Sequence, residues 1–308
     1  MRLAITGANG HLGRRLIKCL APSTDVVALV RSASATQTLR AEVPERVRVT
    51  QCDYADVDSL ARELAEADFV VHLPGIIKES RANTFEMAHE HTATALVSAL
   101  KNSAVQGVLY LSILGADARA ENACLASKAR AEKILLAGAV PARVIKVPMV
   151  LGEGDFASRA IWHKAQRFLG FELRAASLEQ PIYAGDVIQA LLGSLESGPH
   201  RDVLELAGPE SLSRRALIQR AARLLGTAPR IISVPLELGL LLATVLEQLL
   251  PAPPVTRAML GVLDHDDAVD SSATLVSLGL TLTPLDVMLE KVLLALSQSQ
   301  GTAGRHKH

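Results

Sequence analysis

A short apolar run, Arg2-Leu3-Ala4-Ile5-Thr6, gives way directly to Gly7-Ala8-Asn9-Gly10-His11-Leu12-Gly13 and then to a helical pattern. No other segment restricts the fold as much. Glycines placed in this way between a strand and a helix meet three steric needs: a tight turn, close approach of backbone to a pyrophosphate, and close packing of the helix on the sheet. The N–H groups and dipole of the helix N-terminus then face the phosphates. The segment implies a dinucleotide held by Gly7, Asn9, Gly10, His11, Leu12 and Gly13.

The rest of the first half keeps the same rhythm. Residues 2–6, 25–30, 47–51, 68–73, 107–111 and 142–147 read as strands, and 11–21, 56–66, 86–101 and 124–137 as helices. The strands are almost continuously apolar, as strands covered on both faces should be. Alternation at this spacing predicts an α/β fold, a Rossmann-type doubly wound parallel sheet spanning residues 1–155. After Gly152-Glu153-Gly154-Asp155 the rhythm loosens. Helices are expected near 157–168, 186–196, 213–225, 236–250 and 284–297, with brief strand pieces such as 203–206 and 231–234. Residues 156–296 thus read as a smaller, mostly helical C-terminal subdomain for a substrate or partner, with sheet segments free to return to the first domain. The polar stretch 297–308 reads as a disordered tail.

Composition excludes several classes of function. The 308 residues carry 32 basic and 32 acidic side chains without a basic block, which argues against nucleic-acid binding. Hydrophobic residues make up 49% of the chain but aromatics 3%, so aliphatic side chains must fill the core. Cys19, Cys52 and Cys124 stand far apart and form no Cys-x-x-Cys pair, as expected of a reduced cytoplasmic protein without a metal site. The start at Met1-Arg2 leaves no room for a signal peptide. The longest apolar stretch, 236–250, falls short of the roughly 20 residues that span a bilayer. It reads as a buried or half-buried helix, with peripheral contact to a membrane or an oligomer partner as the alternative.

Strand two ends in Ala28-Leu29-Val30-Arg31-Ser32. An acidic residue near this point binds the ribose hydroxyls of NAD, whereas an arginine accommodates a 2′-phosphate. Arg31, supported by Ser32 and Arg14, favours NADP(H), with NAD(H) the second choice; a solvated strand-end arginine is the plain alternative. Asp53, with Tyr54 beside it after strand three, is placed to accept a hydrogen bond from an adenine amino group. Leu73, Pro74 and Gly75 end strand four and should pass close to the adenine-side ribose. Both placements follow from the rule that ligands of open parallel sheets gather at the carboxyl ends of strands.

Taken together, several motifs resemble an atypical or extended short-chain dehydrogenase/reductase of the NAD-dependent epimerase/dehydratase kind. They are the opening fingerprint, Cys52-Asp53, His72-Leu73-Pro74-Gly75, Tyr110-Leu111-Ser112, Ser127-Lys128-Ala129-Arg130-Ala131-Glu132 and Pro148-Met149-Val150-Leu151-Gly152-Glu153-Gly154-Asp155. Pro181-Ile182-Tyr183-Ala184-Gly185-Asp186-Val187 and Leu204-Glu205-Leu206-Ala207-Gly208-Pro209-Glu210 continue the likeness. The chain is most similar to the branch that holds the nucleotide-binding accessory subunit of complex I and its bacterial relatives. The resemblance adds Pro148 to the expected cofactor contacts. It also implies a Ser-Tyr-Lys site in which Ser112 positions substrate and Lys128 holds the nicotinamide ribose. Tyrosine is missing, and its position is Cys124.

A thiol, with an ordinary pKa of about 8.5, is acidic enough to replace a phenol of about 10. Its reach is the obstacle. Sulfur lies one bond beyond Cβ, while proton transfer requires hydrogen-bond distance or one bridging water. Cys124 therefore reads as a structural thiol in a retired site, with a step rerouted through Tyr183 or a water as the alternative. Two functions stay open: an oxidoreductase or epimerase-like enzyme, or an inactive nucleotide-binding accessory, assembly or sensor protein. The apolar stretch 236–250 favours a hydrophobic ligand, quinone-like or prenylated, or a protein partner over a sugar nucleotide. His89 and His91 diverge on a helix and do not suggest a metal site, and Asp264-His265-Asp266-Asp267 reads as a solvated acidic turn.

Overall fold

A computed structural model describes residues 1–80, 82–250, 253–262 and 264–305. The first half runs β1 (Arg2–Thr6), α1 (His11–Cys19), β2 (Asp25–Val30), α2 (Ala33–Arg40), β3 (Val47–Gln51), α3 (Val57–Leu64) and β4 (Phe69–His72). A π-helical segment (Glu86–His91) then leads into α4 (Thr92–Ala99), β5 (Gly107–Ile113), α5 (Ala123–Leu136) and β6 (Ala142–Val147). The second half opens with β7 (Val150–Leu151), α6 (Phe156–Gln166), β8 (Leu169–Leu173), β9 (Leu178–Glu179), β10 (Ile182–Tyr183), α7 (Ala184–Glu196) and β11 (Asp202–Glu205). It continues with β12 (Leu212–Ser213), α8 (Arg214–Leu224), β13 (Arg230–Val234), α9 (Leu236–Leu249), α10 (Arg257–Gly261), α11 (Ser272–Leu278) and α12 (Leu285–Arg305).

Seven strands form one sheet in the order β11-β6-β5-β4-β1-β2-β3. The pairs of β1 with β2 and β4, β2 with β3, β4 with β5, and β6 with β11 are all parallel. Strand order reverses between β1 and β4, which opens a crevice at their carboxyl ends. Register brings Thr6 level with both Leu29 and His72, so three strand ends meet at one height. Leu3, Ala4, Ile5, Ala28, Leu29, Val30, Val70 and Val71 are fully buried, the expected outcome for strands covered on both faces.

Two compact units emerge. The first is Met1–Lys146 with Ile188–Glu205 and Val276–Gly279; the second is Val147–Val187, Leu206–Leu275 and Leu280–His308. The division falls after β6, and β11 rejoins the main sheet from later in the chain. Arg143 fastens it there, donating to both carboxylate oxygens of Asp202 at 2.8 Å. Within the second unit, β7 with β10 and β8 with β13 are parallel ribbons and β9 with β12 is antiparallel. Residues of α6, α8 and α12, including Trp162, Leu217, Leu289 and Val292, form the core of this unit.

Several expectations from sequence are corrected. Helix α2 carries no apolar period, since Thr36 and Leu39 are its buried residues; Ser32 starts it by accepting a hydrogen bond from Ala35 N at 3.2 Å. The helix expected at 86–101 begins as a π-turn, and its wider winding leaves His89 buried and His91 exposed. The acidic turn is solvated only in part: Asp264 and Asp266 are exposed, but Asp267 is buried against His265 at 3.1 Å, and Asp266 Oδ1 accepts from Leu178 N at 2.9 Å. Helix α9 buries Leu236 and Ala243, but Leu238, Leu241, Leu242 and Leu249 are 58–72% exposed. Helix α12 extends to Arg305, across most of the stretch read as a tail, and 306–308 lie outside the described residues.

Candidate dinucleotide site

The glycine loop leaves β1 through Gly7 at φ +71°, a left-handed conformation that side chains resist. A Cβ there would also sit 3.1 Å from the backbone of Leu73 and Pro74. At Gly13 a Cβ would lie 2.6 Å from Ala8 O, so helix α1 packs against the loop on bare backbone. Asn9, Gly10 and His11 are exposed, Leu12 is half-buried, and the first turn of α1 carries no acidic residue. These features fit an anionic ligand at the helix N-terminus.

Tyr54, expected as a cofactor contact, has a different job. Its phenol is buried, accepts from Gly7 N at 2.8 Å and donates to Leu29 O at 2.5 Å, which pins the glycine loop to β2. Asp53 is exposed beside it, with Oδ1 accepting from Ala55 N at 3.0 Å. Arg31 is exposed and reaches Asn83 Oδ1 at 3.1 Å. Arg14, the expected helper, is instead committed to Asn9 O and to an ion pair with Glu42. Ser32 caps α2, so Arg31 stands next to the N-terminus of that helix.

A buried polar network joins the end of β4 to α5. His89 Nε2 accepts from Ile76 N at 3.3 Å, and its Nδ1 lies 2.6 Å from Ser127 Oγ. A neutral imidazole that accepts at Nε2 must carry its proton on Nδ1, so it donates to Ser127, which in turn donates to Cys124 O at 3.3 Å. His72 is likewise enclosed, with Nδ1 2.8 Å from Thr6 Oγ1. Burial, assisted by the Lys128 ammonium, holds both imidazoles down to about 3. His89 and Ser127 were not expected in the site: 38 residues separate them, and no local pattern joins them.

Cys124 and Lys128 are one turn apart on the inner face of α5. Burial pushes the Cys124 thiol up to about 11, and its Sγ rests 3.7 Å from Ile76 O. Lys128 Nζ donates to Leu111 O at 3.1 Å and sits 4.6 Å from the centre of the Tyr110 ring. Burial lowers this amine to about 8. The missing Cβ of Gly75 leaves room beside Nζ, since that atom would lie 3.4 Å away. Tyr110 does not stand in for the absent tyrosine, because its hydroxyl is sealed from solvent and burial raises its pKa.

Ser112 departs furthest from expectation. It is 1% exposed and donates to Glu132 Oε1 at 2.5 Å, while Glu132 Oε2 pairs with Lys146 Nζ at 3.1 Å. Its hydroxyl is thus committed to the buried Glu132, whose ion pair with half-buried Lys146 links α5 and β6. Pro148 is half-buried and follows β6 directly. In the second unit, Tyr183 donates to Glu153 Oε1 at 2.6 Å, and Lys291 Nζ lies 4.9 Å from its ring centre.

The family model described as NAD(P)H-binding matches residues 7–159. The chain is 25% identical over 243 residues to NADH dehydrogenase (ubiquinone) 1 alpha subcomplex subunit 9 of Arabidopsis thaliana, covering 76% of this chain and 60% of that protein. It thus spans less than two thirds of that relative's length. Against ceramide reductase of Caulobacter vibrioides it is 24% identical over 279 residues, 88% of this chain and 86% of the other. The solved UDP-glucuronic acid 4-epimerase of Bacillus cereus, in complex with UDP-glucuronic acid and NAD, matches with a TM-score of 0.74 at 18% identity. That likeness covers 97% of this chain and 99% of the epimerase chain, and it is one of fold.

Proposed function

Because the chain belongs to the NAD(P)H-binding atypical short-chain dehydrogenases, with an epimerase-type fold and distant homology to complex I subunit 9, we propose that it holds NADP(H) without tyrosine-type proton transfer. The observation that carries this reading is the pair on α5. Lys128 is retained, while the buried Cys124 thiol is raised to about 11. At that pKa and with so short a reach, Cys124 is a poor proton donor or acceptor for a bound substrate.

In this reading the backbone N–H groups at the N-terminus of α1 meet the pyrophosphate, and Leu73 to Gly75 flank the adenine-side ribose. Arg31 and the N-terminus of α2 meet the 2′-phosphate, two positive features side by side. Asp53 takes the adenine amino group and Lys128 the nicotinamide ribose. When bound, the nicotinamide would supply a hydride. A reducing, cytoplasmic setting suits Cys19, Cys52 and Cys124, which are all free thiols.

The likeness to ceramide reductase over most of both chains favours a second reading, reduction of a carbonyl. A hydride would pass to the carbonyl carbon and a proton to its oxygen from a group other than Cys124. Calorimetric titration with NADPH and NADH tests the binding claim. NADPH should bind at least about tenfold tighter, and Arg31→Ala should erase that margin. Equal affinities, or a margin untouched by Arg31→Ala, would refute the 2′-phosphate assignment. NADPH oxidation against carbonyl substrates, compared between the natural chain and Cys124→Tyr, separates the two readings: robust turnover by the natural chain sinks the first.

A further inference from the structure

An apolar groove of about 410 Å³ lies in the second unit between α9 and the β8-β13 ribbon. Leu173 and Val234 supply one wall, Leu242, Ala243 and Leu246 the other, and Leu260 closes one side; among the described residues no polar side chain lines it. The volume is in the range of small-molecule sites, yet the lining has nothing to orient a polar head. Helix α9 is apolar almost all round, a pattern usually buried, but Leu238 and Leu242 are 58% and 59% exposed beside the groove.

Charge narrows the choice of occupant. Residues 236–250 contain no Lys or Arg, and Glu237 and Glu247 are acidic, which disfavours an anionic bilayer surface. On β13, residues 230, 232 and 234 share a face, opposite Leu169, Phe171 and Leu173 on β8. The apolar strip therefore continues out of the groove past Ile232 and Phe171, 46% and 64% exposed, and ends at Arg230. That end is about 13 Å from Val234 at the rise of an extended strand. The Arg230 guanidinium sits 5.6 Å from the centre of the exposed Phe168 ring and makes no ion pair among the described residues.

We propose that this groove takes the hydrocarbon chain of an amphiphile with an anionic head, of the fatty-acid class, with the head at Arg230. The dinucleotide reading is not required for it. Oleate, titrated into the full chain by displacement of a fluorescent polyene fatty acid, should bind saturably at one per chain. Leu242→Glu, at an exposed lining position, should weaken oleate more than about tenfold. Arg230→Gln should weaken oleate about tenfold and leave oleyl alcohol unchanged. Both variants should keep the NADPH affinity of the parent, and an unchanged urea transition of Trp162 fluorescence reports that the second unit is folded. Absence of saturable oleate binding, or variants that bind oleate like the parent, would overturn the proposal. So would a dimer that Leu242→Glu splits, or sedimentation with phosphatidylcholine vesicles without oleate binding. Oleate binding without NADPH binding would instead remove the dinucleotide reading alone.

Discussion

Acidification offers a sharp test of the buried network around α5. His72 and His89 are enclosed and held at about 3, below the unfolded value of about 6.5. Between those values the unfolded chain binds protons that the folded chain refuses, so the network's contribution is complete above about pH 6.5 and shrinks as pH falls towards 3. From pH 7.5 to pH 5.0 linkage gives a loss of about 2 kcal/mol per imidazole, or about 4 kcal/mol for the pair. Against a typical stability of about 5–15 kcal/mol, that is a large fraction. The perturbation to make is His89→Gln, which can still accept from Ile76 N but does not titrate. Urea unfolding at both pH values, followed by far-ultraviolet circular dichroism, is the appropriate assay. Fluorescence is not, since Trp162, the sole tryptophan, lies in the second unit. The variant should be less stable at pH 7.5, and the gap to the parent should narrow by about 2 kcal/mol at pH 5.0. Carboxylates titrating elsewhere affect both proteins equally and cancel. A gap that is the same at both pH values would refute the assignment of a buried neutral His89.

Three further outcomes follow from the geometry. Iodoacetamide under native conditions should label exposed Cys19 first and leave Cys124 unmodified until urea opens the fold, as read by peptide mass spectrometry. Glu132→Gln leaves the half-buried Lys146 ammonium without its carboxylate and should cost about 2 kcal/mol in urea unfolding; adding Lys146→Met should recover part of the loss. Gly13→Val drives side-chain atoms into Ala8 backbone and should abolish NADPH binding, whereas Gly10→Ala, whose Cβ would lie 3.1 Å from Gly7 O, should retain a measurable share by calorimetry.

The sheet was legible because most of its first six strands are short, nearly continuous apolar runs, β3 at the edge alternating instead, and the glycine loop because its steric demands are local. What escaped reading depends on distant partners. Ser112 looks like a substrate contact until Glu132 and Lys146 are brought beside it, and Tyr54 looks like a cofactor contact until Gly7 and Leu29 claim its oxygen. Strand β8 escaped because Gly170 and Glu172 interrupt its apolar residues. The exposure of α9 was hidden for the opposite reason. Its apolar sequence says that it should be covered, but not by what.

The return of β11 to the sheet sets an order of assembly. A ribosome that has delivered residues 1–155 has released six of the seven strands, with the outer edge of β6 bare of its partner. About fifty more residues must emerge before Asp202 can reach Arg143. Until then β6 presents unpaired N–H and C=O groups, a template for strand addition by another nascent chain. A fragment cut at residue 155 would inherit that exposed edge permanently. The nucleotide-binding half is therefore no transplantable cassette, because its last strand is encoded between two segments of the second unit.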